Sequence, residues 1–178
     1  MSRKESERKR ASDWHRREAE SLLHALAGVP ASAWERPLAE GKWTVGQLTE
    51  HLALSYETAL DALAGGRGMK QVLPWWKTQF LRWTVLPRIL AGRGFPEGAP
   101  APRELRPGKE PLARETAMAR LEQRIASAER GLAAAAPGLR FSHAYFGWLR
   151  PEQILGVQAA HLAHHRRQLE AASARLLA

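Results

Sequence analysis

Near the C-terminus stands His161-Leu-Ala-His164-His165-Arg-Arg-Gln168, inside a stretch from Pro151 to about Leu177 that reads as one continuous helix. Two imidazoles four residues apart on a helix point the same way and can hold one metal ion between them. A third histidine, His51, lies in Trp43-Thr-Val-Gly-Gln-Leu-Thr-Glu-His51-Leu, within another predicted helix. A helical fold that brings these two helices together would build a three-histidine metal site.

Helical phase sorts the candidates. An α-helix turns ~100° per residue. With Leu162 as zero, Leu155, Gln158, His165, Leu169 and Leu176 fall within ~60° and form a core stripe. His161 lies at ~100° on the side of His165, while His164 lies at ~160°, toward the outer face. Phase therefore selects His161 and His165 as the inward pair. Gln158, one turn before His161, is positioned to orient that imidazole, and Gln168, one turn after His164 and His165, is another candidate support. On the earlier helix His51 falls ~100° from Leu52, at the edge of the buried stripe, with Gln47 one turn before it as a possible support. A lone histidine at a stripe edge is more often a hydrogen-bonded side chain than a ligand, and that reading stands beside the metal one. His143 fits a fourth ligand, an acid–base group or a plain turn hydrogen bond, the last being the simplest. His15 and His24 read as surface residues.

These residues need long helices to position them. The chain has 178 residues, enough for one domain with a real core. Its boundaries are expected at 12–178, after a charged segment 1–11 expected to be frayed. The first helix runs from about Ser12 to Leu26, ended by Gly28 and Pro30. Thr44 caps a second helix reaching about Leu63, whose inward stripe is Val45, Leu48, Leu52, Ser55, Ala59 and Leu63. A third runs from about Pro111 to Ala135, broken by Pro137-Gly138. Residues 69–92 are helical in character but punctuated, and 94–108 form a proline-rich loop. The fold class is all-α: a helical bundle with an inserted basic arm.

Composition excludes several function classes. There is no cysteine, so thiolate catalysis and disulfides are out, and a metal site must use nitrogen and oxygen ligands. The net charge is +9 and the pI about 10.8, yet no nucleic-acid recognition motif accompanies them, and no nucleic-acid partner is expected. The first ten residues are charged and lack an apolar signal core, which points to the cytoplasm. The most apolar stretch, Val72 to Leu90, is interrupted by Lys77, Arg82 and Arg88 and does not read as a membrane span. Its tryptophans are expected to pack over the bundle or a dimer partner; a peripheral contact with an anionic bilayer is the alternative.

Three segments together resemble the DinB-like superfamily, which includes the YfiT-like proteins. They are Gly41-Lys-Trp43-Thr-Val-Gly-Gln47-Leu-Thr-Glu-His51-Leu, His143-Ala-Tyr-Phe-Gly147-Trp-Leu149-Arg-Pro-Glu-Gln153 and His161-Leu-Ala-His164-His165-Arg-Arg-Gln168-Leu. Their order and spacing are similar to a branch of unknown function that also has a basic middle segment and a loop like Phe95-Pro-Glu-Gly-Ala-Pro. One position departs: Ala144 stands where that branch often has proline. The resemblance covers about Ala11 to Leu169. It implies an up-down-down-up four-helix bundle, often a homodimer, with a divalent metal on His51, His161 and His165.

Relatives in that superfamily include transferases and isomerases that use low-molecular-weight thiols, and metal-dependent hydrolases. The resemblance thus implies a metal-dependent enzyme acting on a small molecule, with zinc, nickel, iron or manganese all suited to the donor set. No carboxylate in the motifs faces the site, which favours an external thiol or activated water as nucleophile. The rival expectation is a non-catalytic stress-response or ligand-binding module with a structural metal.

Overall fold

The computed structural model describes residues 3–96, 100–136 and 138–177. In chain order the helices are α1 (Arg3–Ala27), α2 (Val45–Leu63), α3 (Trp75–Thr84), α4 (Leu86–Leu90), α5 (Arg114–Ala134) and α6 (Pro151–Leu177). Strands β1 (Phe141–His143) and β2 (Gly147–Leu149) lie between α5 and α6 and pair antiparallel, with His143 opposite Gly147. The fold is mainly helical with this one small sheet among the described residues.

Side-chain pairs at matched heights set the helix directions. Arg166 on α6 reaches Glu18 on α1, and Arg150 just before α6 reaches Glu7, so α1 and α6 run the same way. Helices α2 and α5 also run together: Glu57 takes both Arg120 and Arg124, and Leu63 lies against Gly131. Near the start of α2, Gly46 meets the chain that leads into α5. A methyl group there would approach Pro111 Cβ at 2.5 Å, so only glycine permits this contact. Between the two pairs the direction reverses. Arg8 binds the carbonyls of Ala133 and Ala135, while Arg114 binds that of Ala27. Leu22, Leu26, Leu52, Leu121, Leu132 and Leu162 fill the shared core, each contributing about 1.5–3 kcal/mol by burial.

Thr44 caps α2 as its sequence suggests, in a reciprocal box: its hydroxyl accepts from Gln47 N–H, and its own N–H donates to Gln47 Oε1, both at 3.1 Å. Elsewhere the elements depart from expectation. Residues 3–11 are helical rather than frayed, because Arg8 holds the last carbonyls of α5. Helix α5 starts at Arg114, not Pro111; the preceding residues instead tether the chain, with Leu112 C=O accepting from Trp34 Nε1 at 3.0 Å. The element at 141–149 is a hairpin, turned by Gly147 at φ +67°. Pro137, read as the break after the third long helix, and residues 97–99 of the proline-rich loop lie outside the described residues. In the basic arm, α3 packs by one face, through Thr78, Leu81 and the following Val85, and α4 buries Leu86 and Ile89 in the core.

His15 is a clear correction. It is fully buried, and its Nε2 lies 2.7 Å from the Tyr56 hydroxyl, while Nδ1 lies 3.7 Å from Glu129. The chemistry of a buried imidazole explains this: the Tyr56 hydroxyl supplies the hydrogen bond that solvent would otherwise provide, and the Glu129 carboxylate stands near the other ring nitrogen. His24 is exposed, as read. Tyr56→Phe deletes the hydroxyl and strands the imidazole, so it is expected to cost about 1–3 kcal/mol in urea denaturation with the fold retained.

Candidate metal centre

Helices α2 and α6 cross where their polar residues face one another. The Nε2 atoms of His51 and His161 are 2.9 Å apart, as are those of His161 and His165. The candidate ligand atoms of all three histidines lie within 4.8 Å of one another. The structure thus brings together the three residues that the sequence motifs singled out. His51 and His165 are buried, whereas His161 is the partly exposed member, on the wall of an open cleft of about 1310 Å³.

The hydrogen bonds decide which ring nitrogens carry protons. His51 Nδ1 lies 2.7 Å from the carbonyl of Leu105, which can only accept, so Nδ1–H donates and Nε2 keeps its lone pair. His165 Nδ1–H likewise donates to Gln168 Oε1 at 2.8 Å. Two Nε2 lone pairs therefore point at the Nε2 of His161, which has at most one proton to offer. A cation at the shared focus satisfies all three. The donor set fits a divalent metal with an open side toward the cleft.

Burial keeps these rings neutral, as ligands must be. It pushes His51 down to about 4, opposed by the Leu105 hydrogen bond. Burial, then the neighbouring imidazoles, hold His161 well below the ordinary histidine value, and His165 is lowered by burial and by His51 and His164.

Of the supporting glutamines, Gln168 sits where the sequence suggested, on His165, and its amide nitrogen also donates to His164 at 3.0 Å. Gln158 does not orient His161. Its Nε2 donates to the Ser55 carbonyl at 3.0 Å and its Oε1 faces the Ser55 hydroxyl at 3.2 Å, because Ser55 offers a buried amide both partners it needs. Nor does Gln47 touch His51. Its side chain is spent on the α2 cap and on the carbonyls of Gly108 and Lys109. That anchors the segment containing Leu105, the real orienting partner of His51. A backbone carbonyl 54 positions away carries no sequence signal. Trp43 and Phe95, also unassigned from sequence, pack on His51 and His161 with ring centroids 4.7 and 5.8 Å apart.

His143 makes the turn hydrogen bond: its Nδ1 accepts from Tyr145 N–H at 3.2 Å, and its ring stacks on Phe146. The proton of the neutral ring then sits on Nε2, so His143 offers a donor at the cleft rather than a fourth ligand. His164 is half-buried at the cleft rim beside Phe95, not fully outward, and stands outside the three-histidine cluster. No Asp or Glu lines the cleft among the described residues, while Lys42, Arg167 and Arg175 do.

Fold and site together define a mainly helical protein with a candidate three-histidine metal centre. Residues 13–169 match the DinB superfamily, and the chain belongs to that superfamily. No curated protein and no solved structure matches it.

Burial pushes His143 from 6.5 to about 4. Below its ordinary value the unfolded chain takes up a proton that the folded chain refuses. Stability is therefore full above about pH 6.5 and is lost as pH falls toward 4. By about pH 5 this single group costs roughly 2 kcal/mol. Urea denaturation of metal-free protein at neutral pH and at about pH 5 is expected to show a loss about 2 kcal/mol larger for wild type than for His143→Gln.

Proposed function

We propose that the chain is a divalent-metal-dependent enzyme of thiol S-transferase or hydrolase type, with the metal on His51, His161 and His165. The observation that carries this reading is the convergence of the three Nε2 atoms beside an open cleft. A divalent ion held there supplies Lewis acidity, which polarises a substrate oxygen or makes a thiol nucleophilic at neutral pH. The chain's own residues do the rest. The Leu105 carbonyl and Gln168 hold two imidazoles in the ligating tautomer. Trp43 and Phe95 shield the rings from water. His143 offers a neutral N–H donor to a substrate oxygen. Lys42, Arg167 and Arg175, with largely apolar walls and no lining carboxylate among the described residues, favour a small anionic, partly apolar substrate.

Wider features of the reading rest on the superfamily and on helix directions. The parallel α1–α6 and α2–α5 pairs, reversed relative to each other, support an up-down-down-up four-helix bundle. We place the protein in the cytoplasm as a homodimer; no helix among the described residues is long and apolar enough to cross a membrane. A second reading is a ligand-binding module whose metal is structural; it is favoured because, among the described residues, no carboxylate lines the cleft to act as a general base.

Metal analysis and a thiol-plus-electrophile screen separate the readings. Wild-type protein is expected to bind one divalent ion per chain and to turn over an electrophile with a thiol or with water. His161→Ala is expected to bind more than about 100-fold more weakly, and Gln168→Leu about 10–100-fold more weakly through its loss of grip on His165. Protein that stays metal-free after incubation with zinc, nickel or manganese overturns both readings. Bound metal without an exchangeable water or turnover leaves the second.

A further inference from the structure

The outer face of α3 is covered by nothing among the described residues. Thr78, Leu81 and Val85 turn inward. On the opposite side Trp76, Phe80 and Trp83 fall within ~60° of one another, and they are 57 %, 64 % and 77 % exposed. Trp75 and Trp148 are exposed as well, the latter on β2, whose carbonyl at Trp148 accepts from Arg82. A cluster of exposed aromatic rings of this size marks a contact surface rather than ordinary scatter.

Charge identifies the partner. Between residues 62 and 96 stand Arg67, Lys70, Lys77, Arg82, Arg88 and Arg93, and no acidic residue. All but Arg82 are exposed, and Lys77 Nζ sits 5.2 Å over the Trp76 ring. A second copy docked about a two-fold axis would lay this cationic segment against itself, with no carboxylate within it to pair. An anionic bilayer surface offers what both features need: counter-charge for the cations, and a headgroup–acyl boundary where indole rings partition. We propose that this face docks the protein on anionic membrane surfaces, with Trp76, Phe80 and Trp83 at the headgroup boundary and the surrounding cations over lipid phosphates. The inner side of the same arm, through Leu81 and Val85, walls the candidate metal centre's cleft. Docking therefore brings the cleft beside the bilayer, and the homodimer uses another face. This inference stands independently of any catalytic activity.

Co-sedimentation with phosphatidylcholine vesicles, with and without phosphatidylglycerol, tests it on the full chain. Sedimentation velocity without lipid runs alongside. Retention is expected to be at least about ten-fold greater on the anionic vesicles and to fall with added salt. The triple variant Trp76→Ser, Phe80→Ser, Trp83→Ser, with circular dichroism and thermal midpoint unchanged, is expected to lose retention about ten-fold. Lys70→Glu with Lys77→Glu is expected to lose the preference for anionic lipid. No retention of wild type overturns the proposal, as does equal retention of wild type and triple variant. A wild-type dimer that the triple variant dissolves also overturns it, by assigning the face to a second copy.

Discussion

Three imidazole nitrogens aimed at one point are the constraint around which this molecule is built. Lone pairs at hydrogen-bonding distance repel unless a proton or a cation lies between them, and two of the three tautomers are already fixed from behind. The Leu105 carbonyl takes the Nδ1 proton of His51, and Gln168 takes that of His165. What is left is a small, electron-rich, largely buried focus that a divalent cation satisfies. Burial deepens the preference, because it disfavours protonation, the other way of relieving the repulsion.

The rest of the fold serves that focus. Helices α2 and α6 must cross in opposite directions at a fixed height, and Gln158 with Ser55 pins them one turn from the site. The Thr44–Gln47 capping box starts α2 at a defined residue, which sets the rotation of His51 about the helix axis. The same glutamine ties down Gly108 and Lys109, and so steadies the segment that brings Leu105 to His51. One side chain thus serves the helix terminus and the loop at once. On the far side of the core, His15, Tyr56 and Glu129 form a second buried polar group where α1, α2 and α5 meet. It gives those helices a polar register mark that apolar packing alone does not provide.

Much of this was legible in residue order. Thr44 announced the start of α2, and the four-residue spacing of His161 and His165, read against Leu155, Leu162 and Leu169, gave their common direction. Local periodicity cannot say which helix lies opposite, so the meeting of His51 with the α6 pair came from motif resemblance rather than from phase. The glutamine assignments failed for Gln47 and Gln158 because a buried amide binds whichever partner the tertiary fold supplies. Here those partners were main-chain carbonyls and a serine on another helix. His15 was misread although a signal existed: it stands seven residues before Leu22 and eleven before Leu26, which puts it in their buried stripe. The 141–149 hairpin was too short for a period of two to show.

The most direct measurement of the central claim is the coordination sphere itself. X-ray absorption at the metal edge of zinc-loaded wild-type protein, with anomalous diffraction from crystals of the same sample, reports ligand type and position. One ion per chain is expected, bound by three imidazole nitrogens at about 2.0–2.1 Å, from His51, His161 and His165, with the remaining position open to the cleft. An ion held by other residues, or none at this focus in fully loaded protein, would contradict it.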